Sequence, residues 1–235
     1  MTNPTVDKQR ALIIGAKGTI GSALLDTLQH HYAVTSLSRD DTDYSETSLQ
    51  QFSERFAAQC KVSGSFRHII CCIGTLHDDV VQPEKSLRQL QANTLQHYFY
   101  VNSVLPALLI KHFSPLLSKD SASVSTLSCL SAMVGSTQDN QLGGWYGYRA
   151  SKAALNSLIK TASIEIRRRN KQAAVIAIHP GTTVGHLSAP FAKNVQPDKY
   201  YTPPQSAQRI HKVLEQLTAE QTGQFLNWDG QPIAW

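Results

Sequence analysis

The sequence predicts an α/β fold, a doubly wound parallel sheet with helices on both faces, and three observations predict it. Short apolar runs alternate with segments of helical periodicity along the chain. The apolar runs are continuous, as in strands that are buried on both faces. A glycine-rich turn follows the first run and opens the first helical segment. Strands that are separated by helices form right-handed β-α-β units on a parallel sheet.

The first half of the chain contains three predicted strand–helix pairs. The predicted elements are a strand over 11–14, a helix over 19–30, a strand over 32–37, a helix over 48–60, a strand over 68–73 and a long helix over 95–117. Pro106 lies inside the last of these and predicts a bend, because proline lacks the amide that a helix interior needs.

The second half continues the alternation. The predicted elements are a strand over 123–130, a helix over 148–169, a strand over 173–178, a helix over 205–217 and a final strand over 224–226. No composition shift marks a domain boundary, so we expect one domain over 1–235. That length leaves no room for a separate substrate domain. The proline-containing segment 182–204 is therefore the candidate lid over the substrate.

Composition and charge indicate an ordinary globular protein without a nucleic-acid partner. A hydrophobic content of 41% and a charged content of 17% are typical of an ordinary globule. The net charge of +5 is compatible with nucleic acid, an anionic membrane or a phosphorylated small molecule. The densest basic run, Arg167–Arg169, ends a predicted helix, where cations complement the helix dipole. No nucleic-acid motif accompanies it, and we expect no nucleic-acid partner.

Cysteine and histidine usage predicts a cytoplasmic protein without a metal site. The four cysteines have neither CxxC spacing nor the density of a disulfide scaffold, and the nine histidines show no paired-ligand spacing. Residues 1–10 are polar, which is not typical of a signal peptide. No apolar run approaches the roughly 18 residues of a membrane span, so we expect no membrane partner.

The glycine turn predicts a dinucleotide site. Gly15, Gly18 and Gly21 follow the spacing GxxGxxG between the first strand and the first helix. Glycines permit a tight turn and a close approach of backbone amides to a pyrophosphate at the helix N-terminus. A tight turn without a ligand is the alternative, but the strand–turn–helix context favours binding.

The end of the second strand indicates which dinucleotide binds. An acid there is typical of NAD sites, whereas an arginine accommodates a 2′-phosphate. Arg39 stands at this position, and Lys17 in the glycine turn adds a second cation. These two residues favour NADP(H). Asp40, which follows directly, keeps NAD(H) possible.

A tyrosine and a lysine four residues apart begin the helix over 148–169. Tyr148 and Lys152 share one helix face, so both head groups can reach one site. A nearby cation lowers the pKa of a phenol from about 10. Tyr148 is therefore the candidate general acid for carbonyl reduction and the candidate base for the reverse reaction.

With these motifs, the chain resembles the short-chain dehydrogenase/reductase family, and more narrowly its C-factor-like members. The resemblance runs from the glycine turn to the last few residues. It is most specific in Gly74-Thr75-Leu76-His77, in the run from Gly143 to Asn156, and in His179-Pro180-Gly181-Thr182.

The resemblance implies a Rossmann-like fold and a role for each matching residue. Tyr148 is the proton donor, Lys152 also holds the nicotinamide ribose, and Asn102 holds a water in a proton relay. Asp43 bonds the adenine edge. The implied cofactor-binding residues are Gly15, Lys17, Gly18, Thr19, Ile20, Gly21, Arg39, Asp43, Gly74, Tyr148, Lys152, Pro180, Gly181, Thr182 and Thr183. The family commonly forms homodimers or homotetramers through the helices that carry Asn102 and Tyr148.

The sequence departs from the family pattern at several places. Cys71-Cys72-Ile73-Gly74 replaces an Asn-Asn-Ala-Gly turn. The serine that polarises the substrate carbonyl aligns with Ala132, so Ser131 is the candidate, with Ser128 and Ser136 as alternatives. Gly185 takes the place of a cofactor-binding threonine. The stretch from Arg39 to Asp43 is too short for the helix that is usual there.

The predicted function is an NADPH-dependent carbonyl reductase or alcohol dehydrogenase that acts on a small carbonyl or alcohol. An NAD(P)-binding sensor or signalling protein with weak turnover is the alternative, favoured by the altered cysteine turn and the displaced serine. A sugar-nucleotide epimerase or dehydratase shares the GxxGxxG spacing, but the chain is too short for the usual substrate lobe.

Overall fold

A computed structural model describes residues 8–120 and 122–235. Most of the polar stretch over 1–10, from which we expect the absence of a signal peptide, lies outside the described residues. Among the residues that are described, no helix is long and apolar enough to cross a membrane.

The helices and strands alternate as the sequence predicts. They are β1 (Arg10–Ile14), α1 (Thr19–Leu28), β2 (Ala33–Leu37), α2 (Glu46–Ser63), β3 (Phe66–Cys71), α3 (Ala92–Phe99), α4 (Leu105–Phe113), β4 (Ser125–Leu130), α5 (Tyr146–Arg169), β5 (Ala173–His179), β6 (Thr182–Thr183), β7 (Tyr200–Tyr201), α6 (Pro203–Gln216) and β8 (Phe225–Asn227). No helix lies between Arg39 and Asp43, as expected.

Six parallel strands form the main sheet, in the order β2-β1-β3-β4-β5-β8. The chain leaves β1 toward β2 on one side and returns to β3 on the other, so the strand order reverses between β1 and β3. Ligands of open α/β sheets bind outside the carboxyl ends of the strands at such a reversal. The doubly wound, Rossmann-like fold is thereby confirmed.

The sheet is covered on both faces. Side chains of α2, α4 and α5 pack on one face around Phe56, Phe113 and Leu155, and side chains of α1 and α6 pack on the other around Leu24 and Ile210. These five side chains are almost fully buried. Each large apolar side chain buried in this way contributes roughly 1.5–3 kcal/mol.

The long helix predicted over 95–117 is interrupted. Helices α3 and α4 are joined by a π-helical turn, Tyr100–Val104, which comes just before Pro106 in the first turn of α4. A π turn inside a helix commonly marks a functional site. Asn102 lies in this turn and is fully buried.

The segment 182–204 is more ordered than its sequence indicates. Strands β6 and β7 pair in parallel, with Thr182 opposite Tyr200. Two short 3-10 helices, Ala189–Asn194 and Pro197–Lys199, lie between them. Pro203 and Pro204 belong to α6, because Thr202 caps that helix and proline is favoured in a first helical turn.

Candidate active site

The glycine turn lies at the reversal of strand order. Gly15 has a φ of +84°, which favours glycine, and a β-carbon there would lie 3.2 Å from Cγ1 of Ile73. The turn after β1 and the turn after β3 are therefore in contact. A β-carbon on Gly21 would lie 2.2 Å from the carbonyl oxygen of Gly15, so only glycine fits there as well.

The N-terminus of α1 is open to an anionic ligand. Its N-cap, Gly18, has no side chain that could accept a hydrogen bond. The amides of Thr19, Ile20 and Gly21 meet no acceptor within the described ranges. Unpaired first-turn amides and the helix dipole together favour a phosphate group. The geometry therefore fits the pyrophosphate that the turn predicts.

Three charged side chains lie at this turn, Lys17 within it and Arg39 and Asp40 just after β2. Lys17 forms an ion pair with Asp40, and both side chains are more than 60% exposed. Arg39 is exposed and has no hydrogen-bond or ion-pair partner among the residues described. Of the two cations that the sequence assigns to a 2′-phosphate, Arg39 is thus the one that is available. Lys17 would first have to leave Asp40.

The carboxylate of Asp43 is hydrogen-bonded within its own loop. Its Oδ1 accepts a hydrogen bond of 2.9 Å from the backbone amide of Ser45, just before α2. This bond holds the pKa of the exposed Asp43 carboxyl below its usual value. One carboxylate oxygen is engaged in the turn, and a role at the adenine edge stays a prediction.

Lys152 is a buried cation at the carboxyl end of β4. Its side chain is almost fully enclosed, and Nζ donates a hydrogen bond of 2.9 Å to the carbonyl oxygen of Leu130. Two glycines make room for it. A β-carbon on Gly74 would lie 3.0 Å from Nζ, and one on Gly135 would lie 2.9 Å from Cβ of Lys152.

Burial lowers the pKa of Lys152 to about 8. The shift from 10.5 corresponds to about 3 kcal/mol against the charged form. The neighbouring thiols of Cys71 and Cys129 oppose the shift. Such a cost is typical of a functional site, because a core that served only stability would contain an apolar residue at this position.

Tyr148 lies one helical turn before Lys152 and is 6% exposed. Its hydroxyl has no hydrogen-bond partner in the described parts of the chain. Burial raises its pKa above the ordinary value. Lys152 Nζ lies 6.0 Å from the centre of the Tyr148 ring. Burial dominates, so the expected lowering of the pKa of Tyr148 by the lysine is not observed.

Asn102 connects three parts of the site. Its Oδ1 accepts from the amide of Thr75 at 2.8 Å, and its Nδ2 donates to the carbonyl of Thr75 at 2.9 Å. Nδ2 also donates to Oγ of Ser151 at 3.0 Å. Asn102 thus ties the turn after β3 to α5, between Tyr148 and Lys152.

Ser131 does not reach Tyr148 in this structure. Its buried hydroxyl donates to Oδ1 of Asn156 at 2.7 Å. Ala132, the next residue, instead packs on the cluster that contains Tyr148. Successive side chains of an extended segment point to opposite faces, which explains why Ala132 rather than Ser131 lies near Tyr148. In this conformation the Ser131 hydroxyl is engaged by Asn156, and its role as the polarising residue stays a prediction.

The two alternative serines are also turned elsewhere. Ser128 is fully buried inside β4, and its hydroxyl has no partner among the residues that the structure describes. Ser136 donates to the carbonyl oxygen of Trp235 at 3.3 Å. The structure brings neither hydroxyl to Tyr148.

The segment 182–204 contacts the mouth of the site. Phe191 packs on Trp145 with a ring-centre distance of 4.7 Å, and Trp145 lies 6.4 Å from Tyr148. His186 stacks on His77, which donates from Nε2 to the carbonyl of His186 at 2.9 Å. These contacts place one side of the segment over the Tyr148 ring.

The turn after β5 carries the remaining predicted cofactor residues. Pro180 is buried, and Gly181 has a φ of +80°, with no room for a β-carbon beside Tyr201. Thr182 is half-buried in β6. The hydroxyl of Thr183 is 2.7 Å from that of Ser206.

The substituted Gly185 approaches the glycine turn. A β-carbon on Gly185 would lie 2.7 Å from Oγ1 of Thr19. The backbone of the segment 182–204 therefore comes close to the first turn of α1, where the pyrophosphate is expected. A threonine at this position would collide with Thr19 in the present conformation.

Comparisons with known proteins agree with this geometry. A family model described as Enoyl-(Acyl carrier protein) reductase (adh_short_C2) matches residues 44–216. The match covers most of the chain, including both members of the Tyr148–Lys152 pair. The chain belongs to the short-chain dehydrogenase/reductase family.

Individual relatives of this short-chain dehydrogenase/reductase are distant. The chain is 29% identical to a 1-hydroxy-2-glutathionyl-2-methyl-3-butene dehydrogenase of Rhodococcus sp. over 69% of this chain and 62% of that protein. It is 26% identical to the C-signal of Myxococcus xanthus over 58% of this chain and 76% of that one. The first match thus spans less than two thirds of the relative. The second confirms the C-factor-like resemblance.

A solved structure shows the same fold. An NADPH-bound carbonyl reductase from chicken fatty liver superposes with a TM-score of 0.77 at 21% identity, over 98% of this chain and all of that one. At this identity the similarity concerns the fold alone.

Several residues of the site were not found from the sequence. Phe191 packs near Tyr148, and Glu84 contacts the start of α5. Neither belongs to a short motif. Glu84 carried no local signal, because its segment lies close to the Gly143–Asn156 run only after folding.

Replacing Asn102 tests its connecting role. We expect Asn102→Ala to lower the free energy of unfolding by about 2–4 kcal/mol, because the amide and carbonyl of Thr75 lose their buried partners. Asn93→Ala, an exposed asparagine on α3, is the control and should change it by less than about 0.5 kcal/mol. Urea unfolding measures both. Equal small effects would show that Asn102 does not hold the site together.

Proposed function

We propose that this short-chain dehydrogenase/reductase is an NADPH-dependent carbonyl reductase or alcohol dehydrogenase, with Tyr148 as general acid and base. One observation carries the proposal. The buried Tyr148–Lys152 pair lies at the carboxyl edge of the sheet, beside the turns that follow β1 and β3. A proton donor and a dinucleotide site there share one crevice.

The residues present fit the cofactor. The open amides of Thr19, Ile20 and Gly21 would hold the pyrophosphate, and Arg39 would bond a 2′-phosphate. Lys152 would hold the nicotinamide ribose, and Thr182 and Thr183 would bond the nicotinamide amide. When bound, the nicotinamide supplies or accepts a hydride. NADP-bound structures of the same fold support NADP(H) as the preferred cofactor.

Tyr148 is suited to donate a proton in the direction of reduction. Burial keeps its hydroxyl protonated, and no protein acceptor competes for that proton among the residues described. Lys152, one turn further along α5, would replace the proton through the ribose. Asn102 would hold the water that connects Lys152 to solvent. Each of these steps follows the roles that the resemblance implies.

The surroundings of Tyr148 favour an apolar carbonyl substrate. Leu76, Val81 and Ala132 pack with Tyr148, and Trp145 and Phe191 close the mouth. The segment 182–204 would act as the lid and would move Phe191 away from Trp145 on entry. A neutral substrate with a flat apolar group matches such a lining better than a charged one.

Exposed apolar residues and free cysteines support a proposal for the assembly and the location. Tyr100 and Val104 on the interrupted helix and Leu158 on α5 are exposed apolar residues. We propose that these faces form a homodimer or homotetramer. All four cysteines are free thiols, which supports a cytoplasmic location.

An NAD(P)-binding sensor with weak turnover remains the second candidate. The specific observation in its favour is Ala132, which has no hydroxyl at the position that aligns with the family's polarising serine. The similarity to the C-signal of Myxococcus xanthus points the same way. The first test below separates the two candidates.

Tyr148→Phe tests the reductase function. We expect the wild-type protein to oxidise NADPH with a member of a panel of aldehydes, ketones and quinones. The variant should lose at least about 100-fold in kcat, because it lacks the proton donor. NADPH affinity should be unchanged. Tyr146→Phe, on the same helix, is the control. If NADPH binds tightly but no carbonyl in the panel is reduced, the sensor is supported and the reductase is contradicted.

Arg39→Ala tests the choice of cofactor. The wild-type protein should bind NADPH more tightly than NADH. The variant should lose about tenfold in NADPH affinity, about 1.4 kcal/mol, with NADH affinity unchanged. Arg88→Ala, an exposed arginine outside the crevice, is the control. Calorimetric titration measures the affinity of each of the three proteins for both cofactors. Equal wild-type affinities for the two cofactors would contradict the assignment.

A further inference from the structure

The helix that carries Tyr148 begins without a local cap. The N-cap of α5 is Trp145, which has no side-chain acceptor and adopts the left-handed conformation, with φ 51° and ψ 44°. Gly143 and Gly144 before it also have positive φ values, of 65° and 66°. Serine, threonine, aspartate or asparagine normally accepts a first-turn amide at this position. A left-handed tryptophan is strained and persists only where surrounding contacts hold it.

Glu84, which is 61 positions before Trp145 in the chain, accepts hydrogen bonds from two backbone amides at the start of α5. Its backbone carbonyl accepts from the amide of Trp145 at 2.5 Å. Its carboxylate Oε2 accepts from the amide of Gly147 at 3.1 Å. Glu84 is 3% exposed, and its other oxygen, Oε1, has no partner within the described chain.

The site is built around this contact. A β-carbon on Gly147 would lie 2.9 Å from Oε1 of Glu84 and 2.4 Å from Cδ2 of Tyr98. Only glycine allows the Glu84 carboxylate and the ring of Tyr98 to approach the helix this closely. The first helical bond, from the amide of Arg149 to the carbonyl of Trp145, depends on the same conformation of Trp145.

Tyr148 directly follows the capped residue. It is the third residue of α5, and its ring contacts Tyr98 and Trp145 at ring-centre distances of 6.3 and 6.4 Å. A frayed first turn would therefore displace the hydroxyl of Tyr148, whereas Lys152, one turn further on, would keep its bond to Leu130. Displacements of about 1 Å at a reacting group cost on the order of 100-fold in rate.

We propose that Glu84 is a positioning residue. The length of its side chain, rather than its charge, lets it cap α5 and fix the position of Tyr148. This proposal rests on the function proposed above only for its kinetic consequences. The cap itself is a property of the fold. Glu84 contacts neither the glycine turn nor the first turn of α1, which would hold the cofactor pyrophosphate. Its replacement should therefore leave cofactor affinity intact.

Two substitutions of Glu84 separate reach from charge. Glu84→Gln keeps the length of the side chain and an oxygen for the Gly147 amide but removes the charge. Glu84→Asp keeps the charge but shortens the side chain by one methylene. Asp79→Ala, an exposed acid in the same loop, is the matched control. The first readout is amide hydrogen exchange of the segment 144–149, compared with the segment 19–28 of α1.

We expect exchange over 144–149 to be at least about tenfold faster in Glu84→Asp and within about threefold of wild type in Glu84→Gln. Exchange over 19–28 should not change. The kcat of Glu84→Asp should fall at least about tenfold, with the KM for NADPH within about twofold, and Glu84→Gln should retain kcat.

The opposite order, with Glu84→Asp like wild type and Glu84→Gln impaired, would overturn the proposal in favour of charge. Faster exchange over both segments would also overturn it, because it would indicate general destabilisation. If the wild-type protein reduces no carbonyl, the reductase function fails alone, and the exchange data still decide the role of Glu84.

Discussion

The hydrogen bond from the buried Lys152 ammonium to the carbonyl of Leu130 is the contact on which the rest of the site depends. It keeps a cation inside the core at the carboxyl end of β4. Gly74 and Gly135 are required because their missing β-carbons leave the space that this side chain fills. Asn102 closes the same region by joining the turn after β3 to α5.

The bond also separates the roles of the two residues of the pair. Lys152 donates to Leu130, whereas the Tyr148 hydroxyl has no partner in the described parts of the chain, and burial sets the direction of the pKa of Tyr148. Burial therefore favours the protonated phenol. The lysine, with its pKa lowered to about 8, can exchange a proton near neutral pH. A bound ribose would bring the two groups into one path.

Local patterns in the sequence predicted the fold and much of the site. Some elements can be predicted from neighbouring residues alone. Examples are the strand over 173–178, from its continuous apolar run, and the Gly15–Gly21 turn, from its glycine spacing. The same holds for Tyr148 and Lys152, whose four-residue spacing places them on one helix face. The resemblance to the family added Asn102, which no local pattern would have distinguished.

The features of the site that the sequence did not predict depend on contacts between distant segments or on a shift of one residue along a strand. Ser131 was favoured because it is the nearest hydroxyl, but the pleat turns it to Asn156 and brings Ala132 toward Tyr148. The pair of Glu84 with Trp145 joins segments 61 positions apart. The ion pair of Lys17 with Asp40 likewise forms only once β1 and β2 are neighbours.

Direct titration of Lys152 tests the central claim, that a buried ammonium organises this site. With lysine labelled with carbon-13 at Cε, the Lys152 resonance, assigned by its loss in Lys152→Met, should titrate with a pKa of about 8 in the ligand-free protein. Because the folded pKa lies below the unfolded value, stability should also rise with pH between about 8 and 10.5 as the group loses its proton. A resonance that titrates near 10.5 would contradict the account, since it would show an ammonium exposed to water.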